Sequence, residues 1–164
     1  MRYMERVFES DRIIFVTPTE KLLHDYLEMI NDIENVARFI GRRKTPYTVE
    51  EERAFIQSKI DENATMYSMI EKSSGDFIGN IEFMDVKDGI AELGIAITAS
   101  KQSLGYGVEA IRRMLEYGFL TLGLNRIFLK VYPENKRAIH VYEKCGFVQY
   151  NRTEEDIFME ILKR

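Results

Sequence analysis

Residues 102–107 read Gln102-Ser103-Leu104-Gly105-Tyr106-Gly107, at the point where a β-rich stretch gives way to an amphipathic helix. Upstream, 90–98 is rich in Ile and Ala and reads as a strand. Downstream, Ala110, Ile111, Met114, Leu115, Tyr117, Gly118 and Leu122 recur at helical spacing, and Gly123 stands where a helix would end. Glycine permits positive φ and lets an anion come close to backbone N–H groups. The first turn of a helix offers such groups free, and its dipole favours negative charge such as a pyrophosphate. On the glycines alone, a tight strand-to-helix connection is an equal reading, because short glycine motifs are weak signals. No Gly-Lys-Ser/Thr is present, so this is not a nucleoside-triphosphatase loop. The turn does not open the first β-α-β unit, and no acidic residue follows at the ribose distance, which argues against a dinucleotide site.

Working outward, Ile13-Ile14-Phe15-Val16 predicts a strand ended by Pro18. Leu22, Leu23, Tyr26, Leu27 and Ile30 predict a helix capped by Thr17 or Thr19, and 33–40 a second helical piece. Gly41-Arg42-Arg43-Lys44-Thr45-Pro46 is a basic loop. Thr48 and Glu51 form a capping-box pattern that opens a helix bearing Phe55, Ile56 and Ile60. Segments 65–71, 77–84 and 90–98 read as an antiparallel meander with turns at 72–76 and 85–89. Then come a strand at 126–132, a helix at 135–145 stopped by Gly146, and strands at 147–150 and 156–162. No repeat or linker is visible. The expectation is one domain over 1–164, α+β, with a mixed, mostly antiparallel sheet flanked by helices.

The chain has 164 residues, 45% of them hydrophobic and 30% charged, with net charge −4, which fits a globular protein and argues against bulk nucleic-acid binding. Its one cysteine, Cys145, excludes an intramolecular disulfide and a thiolate zinc site of its own. A reducing compartment follows. The charged first residues lack a secretory apolar run, and no stretch approaches the roughly 20 apolar residues of a membrane span. The cytoplasm is therefore expected. His24 and His140 are the only histidines and have no carboxylate cluster by spacing, so no metal is expected. Cys145 reads as a buried structural residue.

Three stretches carry a family resemblance: Ala91-Glu92-Leu93-Gly94-Ile95-Ala96-Ile97, then 102–107, then Asn125-Arg126-Ile127 through Asn135-Lys136-Arg137-Ala138-Ile139 to Tyr142-Glu143-Lys144-Cys145-Gly146-Phe147. In this order and with these gaps the chain resembles the GNAT superfamily of N-acetyltransferases, within it the RimJ/RimL and spermidine-acetyltransferase-like branch. The family's pyrophosphate motif, Gln/Arg-x-x-Gly-x-Gly/Ala, is matched by Gln102 to Gly107. Ser103 and Leu104 depart from the branch, which often has glycine and a basic residue there. The backbone donors survive that change and a nearby positive charge is lost. Lys101, Arg112, Lys136 and Arg137 are the candidates to replace it.

The resemblance implies a GNAT fold with a V-shaped splay between two central parallel strands, here 93–97 and 126–132. Acetyl-CoA is implied as co-substrate. Its pantetheine arm would lie along Leu93, Ile95, Ala96 and Ile97, with Gln102, Ser103, Leu104, Gly105, Tyr106 and Gly107 at the phosphates and Asn135 and Lys136 completing the site. Tyr142 matches the family's general acid; a tyrosine phenol near its usual pKa of about 10 has a basicity close to that of a leaving thiolate. The helix face gives Tyr142 an equally natural place in the core. Glu82 and Glu92 are the candidate general bases, both mid-strand among apolar residues.

The resemblance implies an acceptor pocket built by the N-terminal helices, their loop and the last strands. Arg38, Gly41-Arg42-Arg43-Lys44 and Tyr47 form a basic rim suited to a small-molecule or peptide α-amine bearing an acidic group. Glu34, Glu50, Glu51 and Glu52 oppose it and would suit spermidine or another polyamine. An acetyl-CoA sensor without turnover is the reading from another class, and Tyr142 speaks against it. The expected reaction is direct attack of a primary amine in a ternary complex, by a monomer or homodimer with no nucleic-acid or membrane partner.

Overall fold

The apolar run Ile13–Val16 is buried along its whole length, because it lies between two neighbouring strands and under helices. It is β2. The other strands are β1 (Arg6–Glu9), β3 (Met66–Glu71), β4 (Phe77–Lys87), β5 (Ile90–Ile97), β6 (Arg126–Val131), β7 (Val148–Arg152) and β8 (Ile157–Leu162). They form one eight-stranded sheet in the order β1-β2-β3-β4-β5-β6-β8-β7, in which β5 and β6 are parallel. The helices are α1 (Leu23–Ile30), α2 (Arg38–Ile40), α3 (Val49–Asp61), α4 (Tyr106–Glu116) and α5 (Lys136–Lys144). This computed structural model describes residues 4–41 and 43–164. Arg42 of the basic loop and residues 1–3 lie outside the described residues.

The chain divides into two compact units, Met1–Glu82 with Ile95–Tyr106, and Phe83–Gly94 with Gly107–Arg164. In the first, β2 pairs antiparallel with β1 and β3, and β3 with β4. Its core joins Ile14, Val16, Tyr26, Met29, Ile56, Met66 and Ile70. Thr19 caps the 3₁₀ turn before α1, and Thr48 with Glu51 makes the full capping box of α3. In the second, β6 pairs with β8 from Arg126↔Leu162 to Val131↔Ile157, and β7 covers β8 as an exposed edge. Buried Ala110, Ile111, Met114 and Leu115 line one face of α4.

Several boundaries differ from the sequence expectation. Strand β1 was not foreseen: its residues are mostly exposed and lack an apolar alternation, and Phe8 stacking on Phe15 at 4.5 Å is its main anchor. Strand β4 runs on to Lys87, so the turn narrows to Asp88-Gly89, with Asp85, Asp88 and Gly89 all at positive φ. Segment 33–40 splits into a π-helical turn, Ile33–Ala37, and α2. Of the three apolar residues read on α3 only Ile56 is buried, while Phe55 and Ile60 are 45% and 42% exposed.

Candidate active site

The turn after β5 holds two residues in the left-handed region. Ser103 and Gly105 take φ of +60° and +85°, and left-handed residues of this kind occur in backbone anion cradles. Gln102 holds the turn in place: its Nε2 donates to Ile97 O at 2.8 Å and Asn35 O at 3.1 Å. Both amide hydrogens are thereby used, so this side chain braces the turn. Lys101 is braced likewise, 3.2 Å from both Glu71 and Asp76. Tyr106 donates its hydroxyl to Glu71 Oε2, and Glu71 Oε1 accepts from Ser74 Oγ at 2.6 Å. These donors hold the Glu71 carboxyl down at about 2, the Ser74 hydrogen bond first, then Tyr106 and Lys101. On the other side, Arg12 Nη1 donates to Leu104 O at 3.0 Å, and its guanidinium carbon lies 4.2 Å above the Tyr106 ring. Nothing in the spacing of the sequence pointed to Arg12 or Glu71.

The parallel ladder of β5 and β6 covers three residue pairs, Ile90↔Arg126, Ala91↔Ile127 and Glu92↔Phe128, and ends there although both strands continue. Leu93, Ile95, Ala96 and Ile97 lie on the part of β5 beyond that ladder. Glycine at 79 is required by β5 itself: a Cβ there would stand 2.0 Å from Ala96 O. Glu92 sits within the ladder, half-buried.

Glu82 lies on β4 opposite Met66 and pairs with Lys59 of α3, 3.3 Å away, both side chains about one-fifth exposed. Two residues earlier, Asn80 ends a hydrogen-bonded chain. Thr19 N–H donates to Tyr26 Oη at 3.2 Å, the Tyr26 and Ser68 hydroxyls share a bond of 2.6 Å, and Ser68 Oγ donates to Asn80 Oδ1 at 2.8 Å. Glu52 of α3 is 7% exposed. Among the described residues it has no hydrogen-bond or ion-pair partner, and burial alone lifts its pKa. The sequence analysis placed it only within an acidic run, although it stands one turn before Ile56 on the same face of α3.

Tyr142 is 9% exposed, in edge contact with Phe147. Among the described residues its hydroxyl takes no hydrogen bond, so the O–H is available to donate. Burial first, and Cys145 second, push its pKa up to about 12. This differs from the matched basicity expected from sequence, since an apolar helix face desolvates the phenolate. Asn135 caps α5, its Oδ1 accepting from Ala138 N at 3.3 Å, and Lys136 is exposed at the first helical position. Cys145 is buried, its Sγ 3.8 Å from Val108 O, and burial raises its pKa, as suits a structural thiol. Arg112 donates to Lys144 O at 3.3 Å.

Two cations of the basic rim, Arg38 and Arg43, are committed to their own chain. Arg43 forks onto Glu51 at 2.6 and 2.9 Å and stacks on Tyr47, and Arg38 Nε donates to Glu34 O at 2.7 Å. His24 faces Glu28 on the surface at 3.7 Å. Among the described residues no group of three or more His, Cys, Asp or Glu is placed to hold a metal ion, and no helix is long and apolar enough to cross a membrane.

The profile of the acetyltransferase (GNAT) domain family matches residues 12–148. A spermidine N(1)-acetyltransferase of Vibrio cholerae is 33% identical over 137 residues, covering 82% of this chain and 78% of the relative. A spermidine N(1)-acetyltransferase of Escherichia coli is 26% identical over 140 residues, covering 84% and 74%. Among solved structures, a GNAT-family acetyltransferase of Bacillus anthracis superposes with a TM-score of 0.83 at 22% identity, over 94% of this chain and 96% of that one. The Vibrio cholerae spermidine N-acetyltransferase in complex with CoA and spermine superposes with a TM-score of 0.77 at 24% identity, over 92% and 95%. At these identities the superpositions speak for the fold, which is that of the GNAT acetyltransferases.

Proposed function

The chain belongs to the acetyltransferase (GNAT) family and uses acetyl-CoA to acetylate an amine; on that premise we propose that residues 1–164 act as one domain and that the acceptor is a polyamine. The observation that carries the acceptor is Glu52. Glu52 lies in a largely buried position, it has no cation partner among the described residues, and its carboxylate oxygens still reach solvent, so a ligand ammonium can approach them. Two of the rim arginines that would favour an acidic acceptor, Arg43 and Arg38, are engaged by Glu51 and by Glu34 O. The spermidine acetyltransferases among the relatives support the same choice over an α-amine bearing an acidic group.

Acetyl-CoA supplies the activated acetyl thioester. The backbone of 103–107 fits its diphosphate, and Leu93 to Ile97, with Asn135 and Lys136, would border the pantetheine arm. The chain's own residues handle protons. An alkylammonium with pKa near 10.4 is mostly protonated at neutral pH and must lose a proton before its nitrogen attacks. We assign that proton to Glu82. The ammonium of Lys59 stands 3.3 Å from its carboxylate, and an arriving substrate cation competes for the same oxygens. Tyr142 donates a hydrogen bond to the departing sulfur. With a pKa about 3 units above that of an ordinary thiol of about 8.5, it acts chiefly by stabilising negative charge. Cys145, buried and with a raised pKa, is a poor nucleophile, which supports direct transfer in a ternary complex.

Glu52→Gln tests the acceptor. It should raise KM for spermidine by roughly tenfold or more, as loss of one partner of a buried charge pair does, and leave kcat and the KM for a simple monoamine nearly unchanged. Equal effects on both amines, or none, contradict the polyamine reading.

A further inference from the structure

Attack on a thioester moves negative charge onto the acetyl oxygen, so a hydrogen-bond donor fixed beside that oxygen speeds the transfer. Such a donor must be held by its own neighbours and be open to an arriving group. Asn80 of β4 meets both conditions. It stands opposite Ser68 on β3, and Glu82, two residues on, stands opposite Met66, so both side chains share one face of the sheet. Met66 and Ile70 of that face lie in the core cluster with Tyr26, and Ala96 of β5 packs against the same cluster. On the β5 side, Thr98 N donates to Ile78 O at 2.9 Å, and Gly79 comes so close to Ala96 O that a Cβ would not fit. Asn80 therefore lies between the strand read as bordering the pantetheine arm and the carboxylate read as the base.

Its amide has one orientation that satisfies every proton nearby. Thr19 N–H donates to Tyr26 Oη, the Tyr26 and Ser68 hydroxyls are 2.6 Å apart, and Ser68 Oγ lies 2.8 Å from Asn80 Oδ1. Ser68 has one hydroxyl proton. Given to Asn80 Oδ1, it leaves Ser68 to accept from Tyr26, and every donor is used. Turning the amide round would leave the hydroxyl proton of Tyr26 or of Ser68 without an acceptor, and both residues are buried. The chain thus points Nδ2 away from Ser68. Among the described residues Nδ2 donates to no group, and no buried side-chain nitrogen lacks a partner, so Nδ2 reaches the open side of the face. Residues two apart on one strand face stand about 7 Å from each other. An attacking nitrogen at Glu82 and the acetyl C–O group it meets bridge such a distance.

The amine brings N–H donors to this face, and its lone pair is spent on the acetyl carbon. The acceptor atom next to that carbon is the acetyl oxygen. We propose that Asn80 is a catalytic residue, its Nδ2 donating to the acetyl oxygen of acetyl-CoA as charge builds there. This rests on the reading of Glu82 as the base. The nitrogen–carbon bond forms as the carbonyl electron pair moves onto oxygen, and the amine's proton goes to Glu82. The pair returns as the carbon–sulfur bond breaks and CoA leaves as its thiolate. Ser68 and Tyr26 act through Asn80 and are positioning residues.

The test uses the full chain with Asn80→Asp, Asn80→Ala and Glu82→Gln, turned over with spermidine or, where spermidine is not acetylated, with the best amine of a panel. Asn80→Asp keeps the oxygen that Ser68 needs and replaces only the nitrogen. Asn80→Ala adds no charge beside Glu82. Both should lower kcat at saturation by about 10²-fold. Read apart from turnover, Asn80→Ala should weaken acetyl-CoA binding by roughly two- to tenfold. Binding of S-ethyl-CoA, a thioether with no acetyl oxygen, should stay at the wild-type value. The thioester C=O stretch of bound acetyl-CoA should lie higher in both variants than in wild type, as loss of a hydrogen bond to that oxygen requires. A loss confined to the KM of the amine, an equal weakening of both CoA ligands, or a loss in Asn80→Asp that Asn80→Ala does not share overturns the proposal. If Glu82→Gln loses turnover while both Asn80 variants keep wild-type kcat, Asn80 is excluded and Glu82 stands. If no variant changes kcat, the reaction does not take place on this face, and the proposal falls with the reading of Glu82.

Discussion

Burial does two things to Tyr142. It keeps the phenol protonated throughout the working range, and it leaves the hydroxyl free to donate, since no described residue accepts from it. Tyr142→Phe should therefore lower kcat by about 10²-fold while sparing acetyl-CoA affinity, and unchanged turnover would remove Tyr142 from the chemistry. The same substitution has a signature in stability. The folded chain holds the phenolic proton up to about pH 12, the unfolded chain only to about 10. Unfolding between those values releases a proton, so stability falls as pH rises, by about 2–3 kcal/mol in all. Wild type should lose that increment between about pH 10 and 12 in denaturant titrations, and Tyr142→Phe should not. The motif that contains Tyr142 was legible because its helix repeats a family pattern in order and spacing. Arg12, Glu71 and Lys59 were not, since each acts through a partner that only strand and helix packing brings near.

At the scale of the element, the turn after β5 depends on backbone shape more than on side chains. Ser103 at +60° φ occupies a conformation that costs a non-glycine residue about 1 kcal/mol. Ser103→Gly should keep acetyl-CoA affinity and not lower the melting temperature. Ser103→Val, β-branched in the same conformation, should lose affinity and stability together. Full affinity in the valine variant, read by calorimetry, would show that the diphosphate does not rely on this turn. The glycines of the turn and the capping box of α3 were readable because they are local chemistry. Strand β1 and the narrowness of the buried face of α3 were not: an exposed edge strand carries little apolar signal, and Phe55 and Ile60 flank buried Ile56 while staying largely exposed. The basic loop misled in a similar way. Its sequence shows cations, whereas the fold pairs Arg43 with Glu51, whose carboxyl is held down at about 2 by Arg43 first and the Thr48 N–H second.

At the scale of the whole molecule, the eight-stranded sheet and the match to the acetyltransferase profile over residues 12–148 establish the donor half of the reaction. The proposed acceptor half rests on two carboxylates of the first unit: Glu52, with no cation partner among the described residues, and Glu82, shared with Lys59. The direct measurement is release of CoA thiol by the purified chain, given acetyl-CoA and a panel of spermidine, spermine, simple monoamines and peptide α-amines. The account predicts turnover on the polyamines with the highest kcat/KM. Tight acetyl-CoA binding with no thiol release on any amine would contradict it.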